Sequence, residues 1–220
     1  AAEKGTEVDY AMFSRKNYNF PHRQKVPHCS FDMELKTLRN TFGEAGEDYV
    51  LGPRVSGVDE EFVYIYGKPE LNNNAGFYYN APSFEMMMSE LDSKAMKNFY
   101  RSDEYVDAKT TTRTVGLSDI IPDLVTDEVM FDPCGYSING LSTSEGSYFT
   151  VHVTPEDHCS FVSFETNSAV AFEGNKLATR VAEIFCPGKF TMVCCFSSPK
   201  QMPAEIPKVE GFSTLYEFVG

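Results

Sequence analysis

Polar and apolar residues alternate with period two between Tyr148 and Thr154, and this alternation limits the possible folds more than any other stretch. Successive side chains of a β-strand point to opposite faces, so such a run is typical of a strand with one buried face. Strands are predicted from this run at 148–153, and from similar patterns on either side of it at 125–131, 136–141 and 160–165. Consecutive strands of this kind predict an antiparallel sheet with helices covering one of its faces.

The remaining elements are predicted from apolar spacing and from turn residues. Helices are predicted at 30–42, at 83–100 in two pieces, at 115–122 and at 175–185. Further strands are predicted at 10–13, 60–66, 77–79, 190–196 as a central strand, and 209–218. Turns are predicted at 139–140 and 144–146. The polar segment 101–111 predicts a boundary, giving a first lobe at 1–106 and a second lobe at 107–220 within one integrated domain.

The composition excludes several classes of partner. With 19 basic and 32 acidic residues the formal net charge is −13, which disfavours binding to nucleic acid or to an anionic membrane. Six cysteines without a Cys-x-x-Cys motif and four histidines without zinc-ligand spacing predict no metal site and reduced thiols. Because no apolar run has the length of a membrane span and no signal peptide opens the chain, a cytoplasmic protein is expected.

Ser137 and His152 are the candidate catalytic pair. They fall on neighbouring predicted strands, with His152 on the polar face of its strand. Free imidazole changes charge near neutral pH, which suits it to proton transfer. A serine and a histidine on adjoining strands are also typical of ordinary sheets, however. No Gly-x-Ser-x-Gly elbow surrounds Ser137 and no Asp is placed to orient His152, so the residues alone leave both interpretations open.

Three blocks of sequence resemble one enzyme family. They are Phe-Asp-Pro-Cys-Gly-Tyr-Ser-Ile-Asn-Gly at 131–140, His-Val-Thr-Pro-Glu at 152–156 and Phe-Val-Ser-Phe-Glu-Thr-Asn at 161–167. Shorter matching blocks lie at 13–17, 27–28, 88–92, 121–122 and 187–190. In this order they resemble the alpha chain of eukaryotic S-adenosylmethionine decarboxylases, the pyruvoyl enzymes of polyamine synthesis. The residues of these blocks are similar to those of the trypanosomatid branch.

The resemblance implies a fold and a reaction. The fold is an α+β, four-layer α/β/β/α sandwich of two antiparallel sheets flanked by helices. The reaction is decarboxylation of S-adenosylmethionine for spermidine synthesis through a pyruvoyl Schiff base, without pyridoxal phosphate or a metal. The pyruvoyl group forms when a proenzyme cleaves itself at a serine into an alpha and a beta chain. Because no Glu-Ser-Ser cleavage sequence occurs here, the pyruvoyl group and the beta chain are expected outside these residues.

Four residues take substrate or processing roles by this resemblance. Phe131 matches the aromatic residue that stacks on the adenine ring, and Glu156 matches the carboxylate that binds the ribose hydroxyls. Two carboxylate oxygens can accept hydrogen bonds from two vicinal hydroxyls, which suits Glu156 to that role. Ser137 and His152 match the pair that assists self-processing and lines the active site.

The resemblance also implies an activator site between the sheets, in which putrescine is bound. The matching residues are Phe13, Thr112, Glu165 and Phe196, with Arg113 beside them. Two acidic positions of that site fall on Thr110 and Thr114 here, which weakens capture of a dication. Putrescine activation is therefore expected to be weak or absent, and Arg113 is expected to pair with Glu165.

A partner chain is then the expected switch, either in a homodimer or in a heterodimer with an inactive paralogue. The alternative function is a non-catalytic regulatory paralogue, or a truncated fragment, that acts through a partner subunit. The intact set Ser137, His152 and Glu156 favours the enzyme. The missing pyruvoyl segment favours the alternative.

Overall fold

The structure, a computed structural model, describes residues 8, 10–51, 61–67, 82–102, 107–120, 123–142, 144, 146–196, 202–203 and 205–214. The chain forms two compact units, one of Ala1–Tyr79 with Ser213–Gly220 and the other of Asn80–Phe212. This division does not coincide with the predicted boundary between residues 106 and 107, and the lobes at 1–106 and 107–220 stay a prediction.

The first unit contains a three-stranded antiparallel sheet in the order β1-β3-β2, with β1 at Tyr10–Lys16, β2 at Glu47–Leu51 and β3 at Glu61–Gly67. Helix α1 (Phe31–Phe42) begins where the Ser30 side chain accepts a hydrogen bond from the Met33 backbone nitrogen, and Gly43 at φ 84° ends it. Its Phe31 ring packs 4.6 Å from the Phe62 ring, and this contact holds the helix on the sheet.

An ionic cluster around the buried Glu34 carboxylate joins β1 to α1 in this unit. The Glu34 carboxylate, only 2% exposed, accepts hydrogen bonds from Arg15 Nε at 2.7 Å and from His28 Nδ1 at 2.8 Å. The Arg15 guanidinium also lies over the rings of Tyr18 and Phe62, at 4.7 and 4.5 Å from their centroids. Because the charges and hydrogen-bonding groups of this cluster are paired, their burial is tolerated.

The second unit contains a six-stranded antiparallel sheet in the order β5-β6-β7-β8-β4-β9. Its strands are β4 (Ser83–Leu91), β5 (Leu124–Met130), β6 (Tyr136–Ser142), β7 (Tyr148–Thr154), β8 (Phe161–Thr166) and β9 (Pro187–Cys195). The four strands predicted between 125 and 165 are thus confirmed to within one or two residues. They pair with their neighbours in sequence, as the short connections between them require.

The two faces of this sheet differ in chemistry. The buried face is apolar and includes Phe84, Met86, Met88, Tyr136, Ile138, Phe149, Val151, Val153, Val162 and Phe164. The other face, which we call the polar face, includes Ser137, Asn139, Thr150, His152, Ser163 and Glu165. Burying a large apolar side chain contributes about 1.5–3 kcal/mol. A register slip of one residue would move this whole apolar set to the polar face, so the burial fixes the register.

Helices and short 3₁₀ turns pack against the buried face of the sheet. Helix α4 (Lys176–Phe185) buries an apolar stripe, and its Phe185 ring lies 5.8 Å from the Phe99 ring, which in turn lies 5.5 Å from the Tyr136 ring. Helix α2 (Ser93–Met96) is capped by Asp92, and helix α3 (Ala108–Thr114) is capped by Asp107. The helix predicted at 115–122 is wrong in its bounds, because the helical residues are α3 and a 3₁₀ turn at Leu117–Asp119.

The helix predicted at 83–100 is wrong in its first half, which forms β4 between β8 and β9. Met86, Met87 and Met88 are all at most 2% exposed, so both faces of the strand are buried. A strand buried on both faces loses the period-two signal, and methionine and leucine are good helix formers. The pairing of β4 with later strands outweighs this propensity. Met86 and Met88 are part of the apolar core of this unit.

Three smaller predictions also need correction. Among the described residues, β9 lies at the end of the sheet rather than in its centre, which suits the missing N–H of Pro187. Asn139 and Gly140 lie inside β6 and form no turn. Residues 209–214 are not a strand, whereas 215–218 and the strand predicted at 77–79 lie outside the described residues.

The α+β class with antiparallel sheets is confirmed by these two units. The stacking of the sheets in a four-layer sandwich stays a prediction.

Candidate active site

Ser137 and His152 face each other across β6 and β7. They are register partners, and Ser137 Oγ lies 2.8 Å from His152 Nδ1. Tyr136 and Val153 are buried on the opposite face of the sheet. Their neighbours in sequence, Ser137 and His152, therefore point to the polar face. The sequence prediction that these two strands bring the pair together is confirmed, and a hydroxyl proton of Ser137 is within reach of the imidazole.

Two further polar residues extend this pair. Asn139 and Thr150 are also register partners, and the Thr150 hydroxyl donates a hydrogen bond of 2.8 Å to Asn139 Oδ1. Thr150 Oγ1 lies 3.4 Å from His152 Nε2, on the side of the ring away from Ser137. Sequence reasoning missed both residues as site residues. The alternation could have identified them, because each lies two positions from Ser137 or His152 in its strand and therefore on the same face.

A cavity of about 270 Å³ opens beside the pair. Besides Ser137 and His152 it is lined by Phe131, Cys134, Gly135, Tyr136, Val153, Thr154, Pro155 and Glu156. The Phe131 ring is 48% exposed at the end of β5, and its backbone N–H donates to the Gly135 carbonyl at 2.9 Å. Gly135 has φ 106°, a conformation that a residue with a side chain rarely adopts, so this turn needs glycine.

Glu156 reaches the cavity from the turn after β7, where its carbonyl accepts from the Cys159 backbone N–H at 2.9 Å. The Glu156 carboxylate affects two neighbouring thiols, those of Cys134 and Cys159. Burial raises the pKa of Cys134, and the charge and hydrogen bond of Glu156 raise it further. Burial and the same carboxylate also raise the pKa of Cys159. Both thiols therefore stay protonated near neutral pH.

The residues predicted for the activator site are not all brought together. Thr112 Oγ1 lies 2.7 Å from the hydroxyl of Tyr136 on the buried face, where burial raises the pKa of that tyrosine. Glu165 lies on the polar face and accepts a short hydrogen bond from Tyr148. The sheet thus separates Thr112 from Glu165. Matching a family position by sequence does not determine which face a side chain occupies.

The other members of that set lie elsewhere. Arg113 is exposed, and no ion pair among the described residues joins it to Glu165, so the expected pairing is not formed. The Phe196 ring packs 5.1 Å from the Phe172 ring. Phe13 is in β1 of the first unit. Roles of these residues in activator binding stay predictions.

Within the described residues, no group of three or more His, Cys, Asp or Glu side chains is arranged to hold a metal ion. Across the same ranges, all six cysteines are free thiols. None of the described helices combines the length and apolar character needed to span a membrane.

Comparison with known proteins identifies the family. The family model described as adenosylmethionine decarboxylase matches residues 1–216. The chain belongs to the adenosylmethionine decarboxylase family. The resemblance based on the sequence blocks is thereby confirmed, and the block containing Phe131, Ser137 and Asn139 lies within the matched residues.

Relatives named S-adenosylmethionine decarboxylase proenzyme occur in distant eukaryotes. The chain is 42% identical to that of Dictyostelium discoideum over 86% of the chain and 47% of the relative. It is 36% identical to that of Trypanosoma brucei brucei over 85% of the chain and 49% of the relative. For Xenopus laevis the identity is 35%, over 91% of the chain and 58% of the relative. The chain thus spans about half the length of the curated relatives it matches.

A solved structure supports the fold. The crystal structure of the Trypanosoma brucei AdoMetDC-delta26 monomer matches with a TM-score of 0.56 and 29% sequence identity. The match covers 88% of this chain and 67% of that one. The fold of this chain is therefore similar to one already seen in this enzyme family.

Proposed function

We propose that this chain forms part of an enzyme that decarboxylates S-adenosylmethionine, supplying decarboxylated S-adenosylmethionine for spermidine synthesis. One observation carries the proposal: a single cavity is lined by Phe131, Ser137, His152 and Glu156. An aromatic ring, a carboxylate and a hydroxyl–imidazole pair suit an adenine ring, ribose hydroxyls and proton transfer respectively. Membership of the family supports the same reaction. No comparison favours the regulatory-paralogue alternative.

The family implies a pyruvoyl group, and the residues present fit one. The cavity of about 270 Å³ is open and lies beside the polar Ser137–His152 pair, so a small carbonyl group would have both room and polar surroundings there. When bound, such a group supplies a carbonyl that withdraws electrons from the substrate during loss of carbon dioxide.

Each lining residue then has a distinct task. Phe131, half exposed at the end of β5, offers a flat apolar surface for the adenine ring. Glu156 accepts hydrogen bonds from the two ribose hydroxyls and so orients the nucleoside. His152 accepts the Ser137 hydroxyl proton through Nδ1, at a separation of 2.8 Å. This transfer assists the self-cleavage that produces the alpha and beta chains.

The remaining proposals concern partners and location. The beta chain from the same proenzyme is a partner, and a homodimer or a heterodimer with an inactive paralogue supplies regulation. Putrescine acts weakly or not at all, because Thr110 and Thr114 provide neutral hydroxyls in place of carboxylates. The enzyme is cytoplasmic.

The test uses the full-length protein, analysed by intact mass and by release of carbon dioxide from carboxyl-labelled S-adenosylmethionine. We expect two chains from one precursor and labelled carbon dioxide, and a His152→Ala variant that remains a single chain. A wild-type protein that stays uncleaved and releases no carbon dioxide, with or without a candidate partner chain, would refute the proposal.

A further inference from the structure

Four side chains on the polar face form two adjacent rungs between β6 and β7. Ser137 and His152 form one rung at 2.8 Å, and Asn139 and Thr150 form the next at 2.8 Å. Thr150 and His152 are linked along β7 at 3.4 Å. The chain of contacts therefore runs from Asn139 through Thr150 and His152 to Ser137.

The direction of these hydrogen bonds decides where the imidazole carries its proton. A threonine hydroxyl has one hydrogen, and that of Thr150 is donated to Asn139 Oδ1. Toward His152, Thr150 Oγ1 can only accept, so the group facing it must be an Nε2–H donor. In the neutral imidazole the other nitrogen, Nδ1, is then unprotonated and accepts from the Ser137 hydroxyl.

We infer that Asn139 and Thr150 are positioning residues that hold His152 in the Nε2–H tautomer, with the free lone pair of Nδ1 directed at Ser137. The inference rests on the proposed role of the Ser137–His152 pair. A carboxylate performs this orienting task in many serine–histidine sites, and here a neutral Thr–Asn pair replaces it.

The opposite tautomer shows why the orientation matters. With the proton on Nδ1, the imidazole would donate to Ser137 Oγ and could not accept its proton. Nε2 would then face the Thr150 hydroxyl, whose hydrogen is already engaged with Asn139, so two acceptors would oppose each other. Removing the Thr150 hydroxyl relieves this conflict and should let both tautomers form.

The test is the ring nitrogen NMR spectrum of full-length protein labelled with ¹⁵N-histidine, recorded at about pH 8, where free imidazole is neutral. The unprotonated ring nitrogen resonates well downfield of the protonated one, so the spectrum reports the tautomer directly. A His152→Gln spectrum identifies the signals of His152 among those of the other histidines. We expect the unprotonated nitrogen of the wild type to be Nδ1.

Variants separate hydrogen bonding from general disturbance. Thr150→Val keeps the side-chain shape but removes the hydroxyl, so we expect a mixture of tautomers. Self-cleavage should slow about 10-fold, as expected for the loss of one hydrogen bond. Asn139→Asp keeps an acceptor for the Thr150 hydroxyl and should retain the wild-type tautomer, whereas Asn139→Leu should not. Thr191→Val, the same substitution on β9, is the matched control and should change neither signal nor rate.

An unchanged Nδ1 signal in Thr150→Val would overturn the inference, and so would a tautomer mixture in Asn139→Asp with unaltered circular dichroism. The readout is independent of decarboxylation. If the tautomer responds as expected but the wild type releases no carbon dioxide, the proposed function fails and the positioning role stands. If carbon dioxide is released and the tautomer ignores Thr150, only the positioning role fails.

Discussion

Gly140 tests the packing that sets the register of the active-site strands. It lies in β6 opposite Phe149 of β7, and its backbone does not need the left-handed conformation of glycine. A Cβ atom at this position would lie 2.3 Å from Phe149 Cε1 and 2.6 Å from Cδ1. Because carbon atoms in contact prefer about 3.5–4.0 Å, the Phe149 ring would have to move by about 1 Å or more. The ring is 1% exposed within the core, so little space is available for this movement.

The sign of the effect of Gly140→Ala is therefore informative. Without a clash, the substitution would stabilise the protein by about 0.4–1 kcal/mol, because it reduces the freedom of the unfolded chain. With the clash, we expect the free energy of unfolding to fall by about 1–3 kcal/mol, as for other overpacked cores. The assay is urea unfolding of the full-length protein, followed by circular dichroism.

Two further variants make this prediction specific. Leu141→Ala in the same strand is the control, because Leu141 is 62% exposed and its truncation should change stability by less than about 0.5 kcal/mol. Adding Phe149→Leu to Gly140→Ala should cost less than the sum of the single effects by about 1 kcal/mol, since the smaller side chain makes room for the new methyl group. A Gly140→Ala protein as stable as the wild type would refute the packing described for β6 and β7.

Two other predictions concern the stability of the two units. Glu34→Ala should lower the free energy of unfolding by about 3–5 kcal/mol in urea unfolding, because Arg15, only 11% exposed, would lose its buried carboxylate partner. Glu183→Ala, which removes an exposed partner of Arg180, should cost less than about 1 kcal/mol, and equal effects would contradict the account. Hydrogen bonds from the Thr110 backbone N–H, and then from its hydroxyl, lower the pKa of Asp107, so its contribution to stability is present above pH 3.8 and is lost as the pH falls through the lower folded-state pKa. Asp107→Asn keeps the helix cap but cannot titrate, so acid unfolding should show a weaker loss of stability than the wild type, and identical acid profiles would count against the cap.

Alternation was enough to predict the strands that carry the site. In β6 and β7 one face is apolar and the other is polar, so the strand type and the face that carries Ser137 and His152 follow from burial of the apolar face, whereas their exact pairing is seen only in the structure. Helix α1 could also be predicted from the sequence, because its apolar spacing, its Ser30 cap and Gly43 at its end all indicate the same helix.

Other parts of the fold depend on tertiary contacts that local patterns do not contain. β4 is buried on both faces, so its sequence lacks alternation and resembles a helix. The Asn139–Gly140 pair has the composition of a turn, yet it lies within a strand that is paired with β5 and β7. The Phe149 ring packs where a side chain of residue 140 would be. Thr112 matches a family position together with Glu165, but its hydrogen bond to Tyr136 places it on the other side of the sheet.

The most direct measurement of the central claim is the steady-state kinetics of Glu156→Gln in the full-length enzyme, with carboxyl-labelled S-adenosylmethionine as substrate. Glu156 lines the cavity beside Phe131 and is proposed to hold the ribose hydroxyls, whereas the role proposed for Ser137 and His152 is in processing. We expect KM to rise about 10-fold or more, the loss that accompanies weakening of hydrogen bonds to a charged group, while self-cleavage proceeds normally. Normal turnover at low substrate concentration would contradict the assignment of this cavity as the substrate site.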